Sequence, residues 1–177
     1  GGKTWSKREP LQKDFLGPVK NKPVMSRGRL IAPSSIESNG WRLYFEYSDD
    51  MGKTWQRTDY VEADSITIEG KKKLKDLAIQ PSIILLKDGR LAALARTRSE
   101  HIGITYSEDN GKTWSKLKLI DTPNNNSGLD AVTLSDGNHV LICNDKPIPN
   151  GIKNGKGLRT PLSLMTSSDG ESWHHWM

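Results

Sequence analysis

The chain has 177 residues, 34% of them hydrophobic and 27% charged, enough for one domain with a real core, and no apolar run approaches the roughly 18 residues of a membrane span. The net charge of +5 is a mild excess that could draw in an anionic substrate. Its densest basic run, Lys71-Lys72-Lys73-Leu74-Lys75, has none of the aromatic or glycine-rich interleaving of a nucleic-acid site and reads as an exposed loop.

In chain order, the first feature is Gly1-Gly2-Lys3-Thr4-Trp5, the tail of a motif that recurs complete downstream. The full copies are Ser48-Asp49-Asp50-Met51-Gly52-Lys53-Thr54-Trp55 and Ser107-Glu108-Asp109-Asn110-Gly111-Lys112-Thr113-Trp114. A shortened copy, Ser167-Ser168-Asp169-Gly170-Glu171-Ser172-Trp173, lacks one residue before its glycine. The motif tryptophans, 5, 55, 114 and 173, lie 50, 59 and 59 residues apart. The residue types are those of a closed turn. The Asp carboxylate accepts backbone N–H groups, the hydroxyls add local bonds, glycine supplies a positive φ, and the indole packs its large apolar ring against the adjoining strands.

The segments between copies repeat too. The first unit has a turn at Met25-Ser26-Arg27-Gly28, a strand ending in Ser34-Ser35, and a strand over 42–47 that leads into the motif. The second has an apolar run at 79–86, a hairpin turn at Lys87-Asp88-Gly89-Arg90, strands over 91–98 and 101–107, and a fourth over 115–120. The third repeats this with 129–134, a turn at Ser135-Asp136-Gly137-Asn138, 139–144 and 162–167. The lone cysteine, Cys143, falls in that third unit; it has no internal disulfide partner and reads as packing, which leaves the compartment open. Four strands per unit predict an all-β fold, a β-propeller of four-stranded antiparallel blades, with units at about 6–55, 56–114 and 115–173. Trp5, Trp55, Trp114 and Trp173 are expected at equivalent places.

The repeat is also an internal control for function. A residue that recurs at the same place in each unit serves the blade, so Asp50, Asp109 and Asp169 read as structural, and Tyr47 and Tyr106, one residue before a motif serine, as packing. Polar residues at a blade position without counterparts are better site candidates. Arg96 and Arg98 end the second strand of unit two, on one face of it; the matching strands end in Ser34-Ser35 and Asn144-Asp145. Such guanidinium forks suit a carboxylate or sulfate, although a surface arginine paired with Glu100 is the plainer reading. The polar loop Asn124-Asn125-Asn126-Ser127-Gly128 either makes a turn or offers amides to a sugar. Asp130 opens an inner strand where Gln80 stands in unit two. It could serve as general acid or base if burial raised its pKa, and Glu37 is the other candidate carboxylate. Arg159 precedes a strand in a Gly- and Lys-rich stretch. His101 reads as a loop histidine, and no residue set has metal-ligand spacing or the form of a phosphate loop.

The motif S-x-D-x-G-x-T-W, complete at 48–55 and 107–114, is similar to the Asp box, or BNR repeat, of sialidases. Beyond it, Ile79-Gln80-Pro81-Ser82, the segment from Asn124 through Ala131, and Leu158-Arg159-Thr160-Pro161-Leu162-Ser163 make the chain resemble the bacterial sialidase-like BNR proteins. That resemblance implies a six-bladed propeller with a glycan site near the axis and Asp boxes on the rim away from it. It implies an exo-acting hydrolase that removes a terminal acidic sugar, needs no cofactor or metal, and works in a secreted or periplasmic setting. It further implies an arginine triad for the sugar carboxylate, with Arg96 as best second member and Arg159 as third. Arg29 stands where Arg90 stands and reads as a turn residue. Asp130 would be the acid/base, and Gln80, Asn126 and Asn144 would bind hydroxyls. No position matches the family's nucleophilic tyrosine. A glycan-binding propeller without turnover, and hydrolysis of a different sugar, remain as alternatives. Three units are about half of such a ring, so the chain is expected either to be a piece of a longer protein or to pair with a second copy. Its open sheet edges make a stable isolated monomer unexpected.

Overall fold

A computed structural model describes residues 2–63, 77–147 and 159–176. The basic run at 71–75 lies outside them. The described residues contain strands and no helix. The strands are β1 (Val24–Ser26), β2 (Arg29–Ile36), β3 (Arg42–Ser48), β4 (Gln56–Arg57), β5 (Ala78–Leu85), β6 (Leu91–Thr97), β7 (His101–Ser107), β8 (Lys118–Pro123), β9 (Asp130–Thr133), β10 (His139–Cys143), β11 (Ser163–Ser167) and β12 (His174–His175). They form three four-stranded sheets, β1-β2-β3-β4, β5-β6-β7-β8 and β9-β10-β11-β12, each an antiparallel meander. These are propeller blades. β5 packs against β1, β2 and β3 on one side and β9 on the other, so the first strand of each sheet follows the inner side of the arc.

The central sheet explains its own sequence. Leu91, Ala93 and Ala95 face the first sheet, with Ile31, Leu43, Phe45, Tyr47, Ile83 and Leu117. Ala92 and Leu94 face the third, with Ile84, Ile104, Leu129, Ala131, Leu141, Cys143 and Met165. A strand covered on both faces needs a continuous apolar run, and its alanines let neighbouring sheets come close. Cys143 is fully buried beside Met165, and burial pushes its thiol up to about 12, so it packs rather than reacts.

The three boxes close in the same way. Ser48 Oγ donates to Asp50 Oδ1 at 2.7 Å and accepts from Gly52 N at 2.8 Å, while Thr54 donates its N–H and hydroxyl to the two Asp50 oxygens at 2.9 and 2.7 Å. Ser107 and Asp109 repeat this, with Thr113 at 2.9 and 2.6 Å. The third box keeps the Ser167 and Asp169 bonds. The residue it lacks is the one that adopts a left-handed φ in the others, Met51 (61°) and Asn110 (60°). Each box tryptophan donates its Nε1–H to its own glycine carbonyl, at 3.0, 3.2 and 3.2 Å. Gly111 has a φ of 88°, and a Cβ there would come within 2.8 Å of Ile31 Cδ1 in the preceding sheet.

Thr54's backbone N–H, then its hydroxyl and Ser48's, hold Asp50 down to about 2. A depressed carboxylate gives stability that is full above its unfolded pKa and fades as pH falls through the folded value. This contribution therefore disappears as pH drops from roughly 4 towards about 2. Replacing Asp109 by Ala removes one such turn. The expected cost is about 1–3 kcal/mol, near the low end because the residue is largely exposed, with sugar affinity unchanged. Denaturant titration beside a binding isotherm checks this.

Two expectations need correction. Trp5 is 88% exposed, unlike the other box tryptophans, of which Trp173 is buried and Trp55 and Trp114 are partly buried. The last strand of the second sheet spans Lys118–Pro123, three residues beyond its expected start. Residues 115–117 are used otherwise: Ser115 bonds back to Thr105 and Tyr106, and Leu117 bridges in parallel to Ala63 of the neighbouring unit. The last strand of each sheet, β4, β8 and β12, follows its box.

Candidate functional site

The meander sorts the molecule into two ends. The β1–β2, β5–β6 and β9–β10 hairpins and the boxes share one end. It is cross-linked from blade to blade: Arg27 Nη2 donates to Gly89 O at 2.9 Å, Lys87 Nζ to Asn138 Oδ1 at 3.2 Å, and Arg29 Nη1 to Asn110 O at 3.1 Å. Arg29 also forks onto Asp49 at 2.6 and 2.9 Å and lies over Tyr47, as Arg90 binds Asp88 and lies over Tyr106. Both are rim residues, and Arg29 is no anion-site arginine. The strand starts and ends that carry Gln80, Arg96, Asn144 and Asp130 lie at the opposite end, as do the flanking Glu37, Arg98, Asn126 and Arg159.

Arg96 is the centre of that end. Its Nε donates to Asn126 Oδ1 at 2.8 Å and its Nη1 to Gln80 Oε1 at 3.5 Å. Its guanidinium lies 5.0 Å from the Trp41 ring centroid, and that of Arg98 lies 4.1 Å from the same ring. Burial, then the Arg159 charge, lowers the Arg96 pKa; Glu37 opposes this and Arg98 adds to it. Six of the sequence-predicted residues, Arg96, Arg98, Arg159, Glu37, Asn126 and Gln80, thus share one neighbourhood. Among the described residues Arg96 makes no ion pair. Its hydrogen-bond acceptors are neutral amides, which leave its charge for a ligand.

The backbone around Arg96 is strained. Gln80 (φ 56°), Asn126 (φ 61°) and Lys20 (φ 70°) all adopt the left-handed conformation, which costs a side-chain-bearing residue free energy and is concentrated where function demands geometry. Gln80 sits in the irregular register between Ile79 and Ser82. Its N–H donates to Ser35 Oγ at 3.1 Å and its carbonyl accepts from Asn21 Nδ2 at 2.8 Å, which turns its amide towards Arg96. In the buried asparagine loop, Asn124 Oδ1 takes the Ser127 N–H and Asn125 Oδ1 takes its hydroxyl. Two asparagines thus build the turn, and Asn126 serves Arg96.

Asp130 differs from expectation. Its Oδ1 accepts from Lys22 Nζ at 2.8 Å, Ser82 Oγ at 2.7 Å and Ala131 N at 2.9 Å. Burial pushes its pKa up, but these donors outweigh it and the net direction is down, not up. It is an ionised carboxylate. Asn144 is turned inward: its Nδ2 donates to Pro161 O at 2.7 Å and its carbonyl accepts from Asn124. It braces the segment beyond Arg159. His101 bonds to Ser99 O within its own loop.

Sequence reading missed four residues. Lys20 donates to Leu129 O at 2.6 Å and to Asn21 Oδ1 at 3.0 Å, and its stem covers Gly128, where a Cβ would come within 2.7 Å of Lys20 Cε. Burial lowers the Lys20 pKa, Asp130 opposes this, and Arg96 and Lys22 add to it. Lys20, Asn21 and Lys22 lie before the first strand, in a stretch with no repeat counterpart. Trp41 carried a usable signal, since it is one of only two tryptophans outside the repeated motif.

A Tyr–Glu pair exists, Tyr106 with Glu171. It sits at the box end, however, and burial followed by Glu171 raises the tyrosine pKa, the wrong direction for a nucleophile.

Asp-box blades with an arginine-centred polar cluster at the end away from the boxes define a sialidase-like Asp-box propeller. The chain belongs to the BNR repeat-like domain family, whose model matches residues 1–177. It is 35% identical to the anhydrosialidase of Macrobdella decora over 135 residues, 73% of this chain and 16% of that protein. It is 27% identical to a Clostridium perfringens sialidase over 125 residues, 66% of this chain and 32% of that one. Among solved structures it is similar to the intramolecular trans-sialidase of Ruminococcus gnavus in complex with oseltamivir carboxylate, with a TM-score of 0.52 and 30% identity over 81% of this chain and 28% of that one. The chain thus spans no more than 32% of these relatives' length. No helix among the described residues is long and apolar enough to cross a membrane.

Proposed function

We propose that this chain contributes the carboxylate-binding side of an exo-glycoside hydrolase of sialidase type, acting on a terminal acidic sugar. The observation that carries the reading is Arg96: a partly buried guanidinium, held by neutral amides and an indole, beside Arg98 and Arg159. A planar carboxylate suits that surplus charge, because the guanidinium binds it through two parallel hydrogen bonds. Arg159 is the second cation on the carboxylate. Gln80 and Asn126 present amides to hydroxyls, and Asn144 supports them from behind. Asp130 supplies an ionised carboxylate, and Glu37 is the second carboxylate. The relatives named as sialidases support the class of substrate.

Binding without turnover is the second reading, and one observation favours it: of the tyrosines coupled to a glutamate among the described residues, Tyr106 lies at the box end beside Glu171, and Tyr44, beside Glu46, is pushed up in pKa by burial rather than activated. The two readings separate when the whole protein that contains this chain is given 4-methylumbelliferyl α-N-acetylneuraminide. Release of the fluorophore is expected for the hydrolase. Saturable calorimetric binding with no release would support the binding propeller, and neither would overturn both.

A further inference from the structure

The donors to Asp130 are unevenly shared. Lys22 Nζ, Ser82 Oγ and the Ala131 N–H all converge on Oδ1. Oδ2 accepts no hydrogen bond from any described residue, although the side chain is half exposed. One oxygen is pinned and the other is open. The pinning is a constructed arrangement. Lys22 reaches from the segment before β1 and also donates to Ala131 O at 2.8 Å, so the ammonium clamps both the side chain and the strand that carries it. Ser82 joins the same two points from β5, accepting the Ala131 N–H at 2.9 Å while its hydroxyl donates to the carboxylate.

The charged groups around Asp130 are Lys22 and, further off, Lys20. Ser82 from β5 is neutral, and the residue paired with Asp130 across the sheet in β10 is the apolar Ile142. No second carboxylate among them would force a proton to be shared. Lys20 couples electrostatically to both Asp130 and Arg96, so the Asp130 carboxylate and the Arg96 guanidinium share one charged neighbour.

We propose that Asp130 Oδ2 is the acceptor for a hydroxyl of the bound sugar, and that Lys22 is the positioning residue that keeps this carboxylate an acceptor rather than a proton donor. The proposal rests on the acidic-sugar reading. It assigns the work of that site to two sides: Arg96 and its neighbours take the carboxylate of the sugar, and Asp130 takes a hydroxyl. A three-donor grip on Oδ1 leaves the charge on the carboxylate and fixes the direction of the remaining lone pairs, which favours a directional acceptor.

The test tracks the carboxyl carbon of Asp130 by 13C NMR across pH in the full chain, with N-acetylneuraminic acid as the binding probe. In the parent protein the carboxyl is expected to titrate below the ordinary aspartate range. Lys22→Met should move that titration upward and carry the acid limb of probe binding with it, whereas Lys22→Arg should largely restore both. Asp130→Asn should lower probe affinity tenfold or more at neutral pH. An unmoved titration in Lys22→Met with binding intact would overturn the clamp. Unchanged affinity in a folded Asp130→Asn would overturn the acceptor role. If the parent protein binds no probe while the titration still shifts, the acidic-sugar reading fails and the acceptor role fails with it, but the clamp stands.

Discussion

Replacing Trp114 by Ala is expected to cost about 3–5 kcal/mol, a large part of the roughly 5–15 kcal/mol that holds a domain together. The ring belongs to the box of the second sheet but stacks on Phe45 of the first, with centroids 3.6 Å apart and planes 13° from parallel. Phe45 is fully buried, so loss of the indole opens a cavity between two blades rather than a dimple on one. Aromatic contact adds to plain area burial, and Trp114 Nε1 also closes its own turn on Gly111 O. Trp114→Phe should recover most of the packing and lose only that hydrogen bond. Trp5→Ala is the control: that side chain is 88% exposed, and the change should fall within about 0.5 kcal/mol. Denaturant unfolding of the three variants measures the series. A Trp114→Ala chain as stable as the Trp5 control would mean that the boxes do not bind blade to blade.

The repeat made the blades legible, because each element was written more than once. The hairpin glycines, the alternation on β3 and β7, and the box hydroxyls all appear in at least two copies, and each copy corrected the reading of the others. Where copies diverge, the reading slipped. Ser115 looked like the start of a strand, but its side chain is spent on Thr105 and Tyr106. Trp5 matches the motif, yet its ring is exposed where those of Trp55, Trp114 and Trp173 pack.

The site was partly legible for the opposite reason. Arg96 and Arg98 stood out as polar residues without repeat counterparts, Asn126 as part of a polar loop and Gln80 as a polar residue at an inner strand start, and the structure brings them together. Their environment was not legible. The pairing of Asp130 with Lys22 spans 108 positions in sequence, and no periodicity signals it. The left-handed backbone at Gln80 was equally hidden, since glutamine gives no hint of a positive φ. Trp41 shows what a stricter use of the same logic would have found: a large aromatic outside the repeat, placed under both arginines.

Arg96→Lys should weaken binding of a carboxylated sugar by roughly 10- to 100-fold, the range of one or two charge-assisted hydrogen bonds, and weaken a neutral sugar of the same ring size much less. Lysine keeps the charge but not the fork. It also cannot keep the present scaffold. The guanidinium uses Nε on Asn126 at 2.8 Å and Nη1 towards Gln80 at 3.5 Å, while its plane lies against Trp41. A single ammonium on a flexible stem satisfies at most part of that set. Asn126 and Gln80 hold their left-handed backbones around the guanidinium, so some of the loss should be shared with Asn126→Ala in a double-mutant cycle, as expected for groups in one network. Lowering the ionic strength should strengthen binding of the carboxylated sugar in the parent protein, because partly exposed charges interact over a longer screening length. The neutral sugar should show no such dependence. Calorimetric titration of both sugars at two salt concentrations decides the matter. Equal losses for the two sugars, or no salt dependence for either, would reduce Arg96 to a structural brace between Trp41 and the asparagine loop and would remove the main support for an acidic substrate.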